Sequence, residues 1–293
     1  MMILIFRRNK KSNHTFFCRV YLQIYQFFLE YSKMAKDLVR IIFSAANVVH
    51  FVYIIYFTNG LKIPGHRHNA FGGQWKFLTY WNLWLQLTYF IISLCNELFS
   101  PPKNDKDQEP SKLGKVRDFL FSTLAFPVGI FVTISFWLLY GIDRNLVFPP
   151  KLDEFYPLWA NHMLHTTCTL SQLFEMKSSF HAYPSKAKGI LTSIGFSLIY
   201  LGWVLVIAFQ ANVWIYGVLQ KLPPVGRFLF MGGCSMVFGI IYLLGEHLNG
   251  RIWAIKEDEV IVEESLANGS QSQEGLVQHT YNTRSRKKVA KVD

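Results

Sequence analysis

Six long apolar stretches dominate the sequence of this 293-residue chain. Each holds roughly 20 residues, the number that a helix needs to cross about 30 Å of hydrocarbon. Backbone polar groups find no partners in lipid, so stretches of this kind are expected to form helices. The predicted spans are residues 38–57, 77–99, 119–140, 156–174, 189–209 and 228–248. The sequence therefore predicts an all-α, multi-pass transmembrane helical bundle of about six spans.

Composition favours this class over a soluble domain. Charged residues make up only 17% of the chain and hydrophobic residues 51%. A soluble domain carries about a quarter charged residues, so this chain has too few to cover a surface exposed to water. The four cysteines are scattered along the chain, which excludes a disulfide scaffold. They are Cys18, Cys95, Cys168 and Cys234.

The net charge of +11 is unevenly distributed along the chain. The segments before span 1, between spans 2 and 3, between spans 4 and 5, and after span 6 hold 22 of the 30 Lys and Arg residues. The three alternate loops hold 7. Cytosolic segments carry such an excess of basic residues, so both termini are predicted to be cytosolic. The basic tail is expected to face anionic lipid, and no nucleic-acid partner is predicted.

Two terminal segments differ in composition from the membrane region, residues 37–256, which holds all six predicted spans. Residues 1–36 form a basic and aromatic N-terminal extension. No small-residue cleavage site follows an apolar core there, so the extension is not interpreted as a secretory signal. Residues 257–293 are polar and uneven in charge, which predicts a disordered cytosolic tail.

Polar side chains lie inside two predicted spans, where each costs free energy unless it faces protein or water. Residues three, four and seven apart share one face of a helix. By this rule span 2 presents one polar face, and span 4 presents another with a second histidine on the adjoining strip. The residues are Thr79, Asn82 and Gln86 in span 2, and Asn161, His162, His165 and Thr169 in span 4. Two such faces predict an internal polar cavity, and hydrogen bonding between helices is the alternative explanation.

Thr79 and His165 are predicted to lie at a similar depth in the membrane. Thr79 follows Trp75 by four residues, about 6 Å along a helix, and His165 follows Pro157 by eight, about 12 Å. The loops before both spans are predicted to be non-cytosolic, so both side chains fall in the outer half of the membrane. A neutral histidine suits removal of the threonine hydroxyl proton near pH 7, which activates the hydroxyl as a nucleophile. The spacing thus permits a Thr–His dyad.

Five sequence motifs in the same order resemble the androgen-induced gene 1 family over about residues 38–256. They are GGQWKFLTYWN (72–82), LAFPVGIFV (124–132), LWANHMLHTT (158–167), AYPS (182–185) and YLLGEHLNGRIW (242–253). The resemblance implies an intramembrane hydrolase that cleaves fatty acid esters of hydroxy fatty acids and releases fatty acid and hydroxy fatty acid. The family's threonine nucleophile ends the WKFLT-like motif and matches Thr79. Its histidine base precedes the paired threonines and matches His165.

The implied reaction suggests roles for the other polar residues. Asn82 and His162 are candidate donors to the oxyanion, and Gln86 and Asn161 complete the candidate substrate-side residues. The lipid ester is expected to enter from the bilayer, and no metal or cofactor is required. An integral protein of the plasma membrane or of the endoplasmic reticulum and endomembranes is expected.

Three alternatives to a hydrolase stay open at this point. The first is a non-catalytic lipid-binding or regulatory membrane protein, which would not need a Thr–His dyad. A b-type haem protein requires histidines that face each other across helices, which only His50 and the strip with His162 and His165 offer. A zinc hydrolase would use His162, His165 and a loop histidine.

Overall fold

The described part of the chain is helical, with short 3₁₀ turns and connections. The computed structural model describes residues 34–35, 37–63, 71–100 and 111–255. The helices are α1 (Asp37–Gly60), α2 (Leu78–Phe99), α3 (Lys112–Leu146), α4 (Leu158–His165), α5 (Thr167–Ser178), α6 (Lys186–Ala211), α7 (Gly217–Lys221) and α8 (Pro224–Ile255). A 3₁₀ turn, Gly73–Lys76, precedes α2, and another, Pro150–Glu154, precedes α4. No strand occurs within these residues, which confirms the all-α class.

The contacts within the chain divide it into two compact units, and the boundary follows Tyr242. The larger unit is Met1–Tyr242, and it holds the polar faces, the charged cluster and the cavities discussed below. Of the smaller unit, Leu243–Asp293, the structure describes residues 243–255, which are helical. The predicted tail, residues 257–293, lies outside the described residues, and so does the predicted extension apart from positions 34 and 35.

Four helices are long and apolar enough to cross a membrane. They are α1, α3, α6 and α8, which correspond to predicted spans 1, 3, 5 and 6. The other two predicted spans are also helical: the second becomes α2, and the fourth becomes α4 and α5. These helices are less apolar because they carry the two polar faces.

The apolar helices are hydrophobic on the outside of the bundle as well as inside it. Leu191 and Phe209 of α6 and Leu229 of α8 are among many large apolar side chains that are exposed. Contiguous apolar surface of this kind is stable only against another apolar phase. A membrane protein with a lipid-facing surface follows from these helices.

The α3 helix changes its winding just before Pro127. Residues Phe121–Ala125 form a π-helical turn inside α3. Proline has no N–H to offer to the carbonyl four residues earlier, which is that of Thr123. Ser193 Oγ of α6 donates a hydrogen bond to this carbonyl at 2.7 Å. Because of the proline, the Thr123 carbonyl of α3 is available to accept this hydrogen bond, which connects α3 to α6.

Five buried or partly buried residues form a charged cluster at one end of the helices. Arg117 contacts Asp118 at 2.8 Å and Glu97 at 3.4 Å, and Glu97 also contacts Arg40 at 3.2 Å. His181 Nδ1 lies 3.1 Å from Asp118 Oδ1. Burial lowers the pKa of His181, so the neutral ring donates its Nδ1–H to the carboxylate. The cluster joins the start of α1, the end of α2, the start of α3 and the segment after α5.

The other ends of these helices come together at the opposite end of the bundle. Gln74, before α2, donates to the carbonyl of Thr58 near the end of α1 at 2.7 Å. Both residues line one cavity with Val147, which follows α3, and Tyr156, which precedes α4. Successive helices are therefore antiparallel, and α4 and α5 together make one traverse of the bundle.

Candidate active site

A cavity lies at the end of the bundle opposite the charged cluster. Thr79 of α2 and both Asn161 and His165 of α4 line it. We call it the histidine cavity. No Asp or Glu is among its lining residues in the described part of the chain. The structure thus brings one residue of the polar face of α2 and two residues of the polar face of α4 into one space.

Thr79 is the second residue of α2 and is half-buried. Phe77, which caps the helix, is extended (φ −96°, ψ 131°), so the chain turns sharply just before Thr79. The preceding turn is fastened through the carbonyl of Trp75. This oxygen accepts hydrogen bonds from Trp81 Nε1 at 2.6 Å and from Trp203 Nε1 at 2.9 Å. Trp81 and Trp203 therefore fix the backbone just before Thr79.

Two tyrosines hold the backbone just before Thr79. Tyr216 Oη accepts a hydrogen bond from the Leu78 N–H at 3.1 Å and lies 2.8 Å from Tyr200 Oη. Tyr200 donates its hydroxyl proton to the carbonyl of Lys76 at 3.0 Å, so Tyr216 is the donor to Tyr200. Sequence reasoning missed both tyrosines, because neither lies on a polar helix face that spacing reveals.

His165 is the last residue of α4 and is fixed by contacts with α3. Its ring stacks on Phe136 with 3.5 Å between ring centroids and 5° between planes. Its carbonyl accepts a hydrogen bond from Thr133 Oγ1 at 2.5 Å, and Thr169 Oγ1 donates to Thr133 Oγ1 at 2.8 Å. The side chain is buried, and its Nδ1 has no hydrogen-bond partner among the described residues. Since an unpaired buried polar atom is costly, this nitrogen is suited to a bound molecule.

Asn161 lies one helical turn before His165 and shares this property. Its side chain is buried, and its Oδ1 has no hydrogen-bond partner in the part of the chain that the structure describes. Both residues line the histidine cavity, and each leaves one buried polar atom without a partner among the described residues.

His162 is placed elsewhere by the structure. Its ring is exposed and stacks on Trp137 at 5.1 Å, and its Nδ1 lies 3.0 Å from Thr166 Oγ1. It does not line the histidine cavity. Of the two neighbouring histidines, His165 is the one that the fold presents to Thr79's cavity.

Asn82 and Gln86 bond to neighbouring groups and do not line the cavity. Gln86 Nε2 donates to Asn82 Oδ1 at 3.0 Å and to the carbonyl of Ala125 at 2.8 Å. Gln86 Oε1 accepts a hydrogen bond from Gln172 of α5. A side chain at Gly129 would place its Cβ only 2.8 Å from Gln86 Nε2, so this glycine makes room for the contact. Hydrogen bonding between helices accounts for Gln86, whereas the hydrogen bond to Asn82 Oδ1 lies within α2.

A second cavity lies among α2, α3, α6, α7 and α8. Its walls are mainly hydrocarbon, with Val204, Leu219 and Phe238 as examples. We call it the apolar cavity. It shares four lining residues with the histidine cavity, whereas His165 and Asn161 line only the histidine cavity. The shared residues are Thr79, Phe136, Val147 and Tyr216.

Two of the histidines that the haem and zinc alternatives would use have other partners. His50 Nε2 lies 2.9 Å from Thr167 Oγ1, and His162 stacks on Trp137. Within the described residues, no three His, Cys, Asp or Glu side chains are close enough to hold a metal ion. The loop histidines His66 and His68 lie outside those residues.

A family model described as FAR-17a/AIG1-like protein matches residues 39–250. The chain belongs to this family. The match covers most of the chain and includes Thr79, His165 and all the residues that line the two cavities. It confirms the resemblance that the five sequence motifs indicate.

Relatives within the FAR-17a/AIG1-like family share about a third of their residues with this chain. The human Androgen-induced gene 1 protein is 37% identical over 198 residues, which is 66% of this chain and 82% of the relative. The human Androgen-dependent TFPI-regulating protein is 36% identical over 184 residues, or 63% and 79% of the two chains. The mouse protein of that name is 36% identical over 182 residues, or 62% and 78%. No solved structure matches this chain.

Proposed function

We propose that this FAR-17a/AIG1-like protein is an intramembrane, threonine-dependent hydrolase of lipid carboxylic esters. Fatty acid esters of hydroxy fatty acids are the proposed substrate class. The observation that carries the proposal is that Thr79 and His165 line one cavity although they come from different helices. These two residues match the nucleophile and the base that the family resemblance implies. The apolar surroundings suit a two-chain lipid that enters from the bilayer.

In the first step of the proposed reaction, Thr79 Oγ attacks the ester carbonyl while His165 takes the hydroxyl proton. The bond between the carbonyl carbon and the alcohol oxygen then breaks. His165 returns the proton to that oxygen, and hydroxy fatty acid leaves. The remaining acyl group is bonded to Thr79 Oγ as an ester.

In the second step, water attacks the acyl-enzyme carbonyl and His165 takes a proton from that water. The bond to Thr79 Oγ breaks, the threonine regains its proton from His165, and fatty acid is released. The unpaired Oδ1 of Asn161 is a suitable acceptor for the second proton of the attacking water. No metal and no cofactor takes part in these steps.

The oxyanion is proposed to lie at the first turn of α2 rather than beside Asn82 or His162, which line neither cavity. First-turn N–H groups have no acceptor within the helix, and the helix dipole favours negative charge there. The Leu78 N–H is already bonded to Tyr216. We therefore assign the N–H of Thr79, the next residue, as a donor to the oxyanion.

The proposed hydrolase crosses the membrane six times with both termini in the cytosol, in the plasma membrane or in the endoplasmic reticulum and endomembranes. The basic residues support this orientation, because they concentrate in the predicted cytosolic segments. The charged cluster joins helix ends on the same side. The two cavities then lie toward the non-cytosolic surface.

Two native glycosylation sequons test this orientation. They begin at Asn13 and Asn268, outside the described residues, in segments proposed to be cytosolic. We expect neither to be glycosylated when the full chain is expressed in eukaryotic cells. Glycosidase treatment should leave the mass unchanged, and a sequon inserted after Lys62 serves as the positive control. A glycosidase-sensitive mass shift at either native sequon contradicts the orientation.

The function is tested with purified full-length protein and a branched fatty acyl ester of a hydroxy fatty acid. Wild-type protein is expected to release both acids in equal amounts, and Thr79→Ala to retain less than about 1% of the rate. Thr88→Ala is the matched control, because Thr88 is exposed on α2 and its hydroxyl bonds to the Trp84 carbonyl at 2.8 Å. Ester turnover by folded Thr79→Ala contradicts the proposed nucleophile. Tight ester binding without hydrolysis by wild-type protein favours the non-catalytic alternative.

A further inference from the structure

We propose that the two cavities hold different halves of the ester: the acyl chain in the apolar cavity and the hydroxy fatty acid in the histidine cavity. This inference rests on the proposed function and adds an orientation for the substrate. The hydroxy acid is then the leaving group on the side of His165, and the acyl chain stays behind on Thr79.

The position of Thr79 is the first argument. An ester carries one chain on its carbonyl carbon and another on its alcohol oxygen, and these chains leave the reacting centre in different directions. Thr79 lines both cavities. A carbonyl carbon held at Thr79 Oγ therefore has one space available for each chain.

The position of His165 decides which chain goes where. His165 lines the histidine cavity and not the apolar cavity. In the proposed reaction it gives a proton to the alcohol oxygen and then takes one from water. The alcohol half and the water must both approach His165, so they occupy the histidine cavity in turn. An acyl chain in that cavity would block the water, which places the chain in the apolar cavity.

The chemistry of the walls agrees with this orientation. A hydroxy fatty acid carries a free carboxylate, which needs polar groups or water, whereas an acyl chain is hydrocarbon. Thr58, Gln74 and Asn161 add polar groups to the histidine cavity, which adjoins the loops at the end of the bundle. On α8 the apolar cavity extends from Phe230 to Phe238, about 12 Å along the helix axis, which suits an extended chain.

Substrate series that vary one chain at a time test the assignment. The first series is p-nitrophenyl butyrate to palmitate, in which only the acyl chain changes. The second is palmitoyl esters of short and long hydroxy acids, in which only the alcohol half changes. Cys234→Trp fills the apolar cavity and Leu152→Trp the histidine cavity. The matched controls are Met236→Trp and Glu154→Trp, exposed positions on α8 and on the same 3₁₀ turn.

Cys234→Trp is expected to lower the palmitate-to-butyrate ratio of kcat/KM about tenfold while the long-to-short hydroxy acid ratio stays near the wild-type value. Leu152→Trp is expected to lower the hydroxy acid ratio and to leave the acyl ratio near the wild-type value. Both controls should keep both ratios within about twofold of wild type. If Cys234→Trp does not fold, Leu201→Trp on the α6 wall replaces it.

The outcomes separate this inference from the proposed function. If Cys234→Trp lowered the hydroxy acid ratio and Leu152→Trp lowered the acyl ratio, the orientation would be the reverse of the one proposed. Wild-type hydrolysis with no change of either ratio in folded variants would overturn the inference and leave the hydrolase proposal standing. Wild-type protein that hydrolyses neither series contradicts the proposed function itself.

Discussion

Thr79→Ala and His165→Ala are each expected to reduce ester hydrolysis to background. Thr79→Ala removes the attacking oxygen, and His165→Ala removes the group that takes its proton. The double variant should be little worse than either single variant, because members of one catalytic unit do not contribute additively. The measurement is kcat/KM for release of fatty acid by purified protein.

Labelling by a fluorophosphonate separates loss of the nucleophile from loss of the base. Thr79→Ala should not be labelled, whereas Thr79→Ser keeps an oxygen and should be labelled slowly and retain partial turnover. His165→Ala keeps the hydroxyl without the group that activates it, so its labelling should be strongly slowed. Labelling of Thr79→Ala at the wild-type rate would place the nucleophile elsewhere.

His162→Ala is the matched control for His165→Ala, because the two histidines share α4 but not the cavity. We expect His162→Ala to lose much less activity, since its ring stacks on Trp137 and lines neither cavity. The test is which of the two variants loses more activity. An inactive His162→Ala beside an active, folded His165→Ala would show that the base is wrongly assigned.

Arg117→Met is expected to destabilise the fold by about 3–5 kcal/mol, the cost typical of removing one partner from a buried ion pair. The change leaves Asp118 and Glu97 buried without the guanidinium that contacts them at 2.8 and 3.4 Å. The measurement is thermal unfolding in detergent, with the yield of folded protein as a second readout. Folded molecules should still be labelled at Thr79, because the charged cluster lies at the opposite end of the bundle.

Lys221→Met is the control for the charged cluster. Lys221 contacts Asp143 at 2.6 Å, but both side chains are accessible to water. An exposed pair of this kind contributes about 1 kcal/mol or less, so the melting temperature should change little. Equal stability of Arg117→Met and Lys221→Met would mean that the charged cluster does not hold the helix ends.

The sequence predicted those parts of the structure that depend on composition and helical spacing. The apolar stretches gave the helices, and counting residues along α2 and α4 gave a common depth for Thr79 and His165. That depth agrees with their shared cavity. Spacing did not separate Thr79 from Asn82 and Gln86, because all three lie on one helical face and differ in what packs against it.

The supporting residues were not predictable in this way because their roles arise from contacts between distant segments. Tyr216 follows α6 and reaches the start of α2, and Phe136 stacks on His165 from α3. The charged cluster gave no sequence signal either. Glu97 and Arg117 lie near the ends of predicted spans, where charged residues usually face water.

Thr79 and His165 lie on the two traverses that are not among the four most apolar helices. In the proposed six-pass arrangement, α2 and the α4–α5 traverse are therefore poorly suited to partition into lipid alone, since their amides would lack partners. Those partners come from neighbours, as Gln86 shows with Ala125 and Gln172. During biosynthesis, α2 should therefore be retained at the insertion machinery until α3 and α5 supply these partners. The nucleophile and the base would then meet only in a nearly complete bundle, so partly synthesised chains would be inert toward the esters of the membrane that receives them.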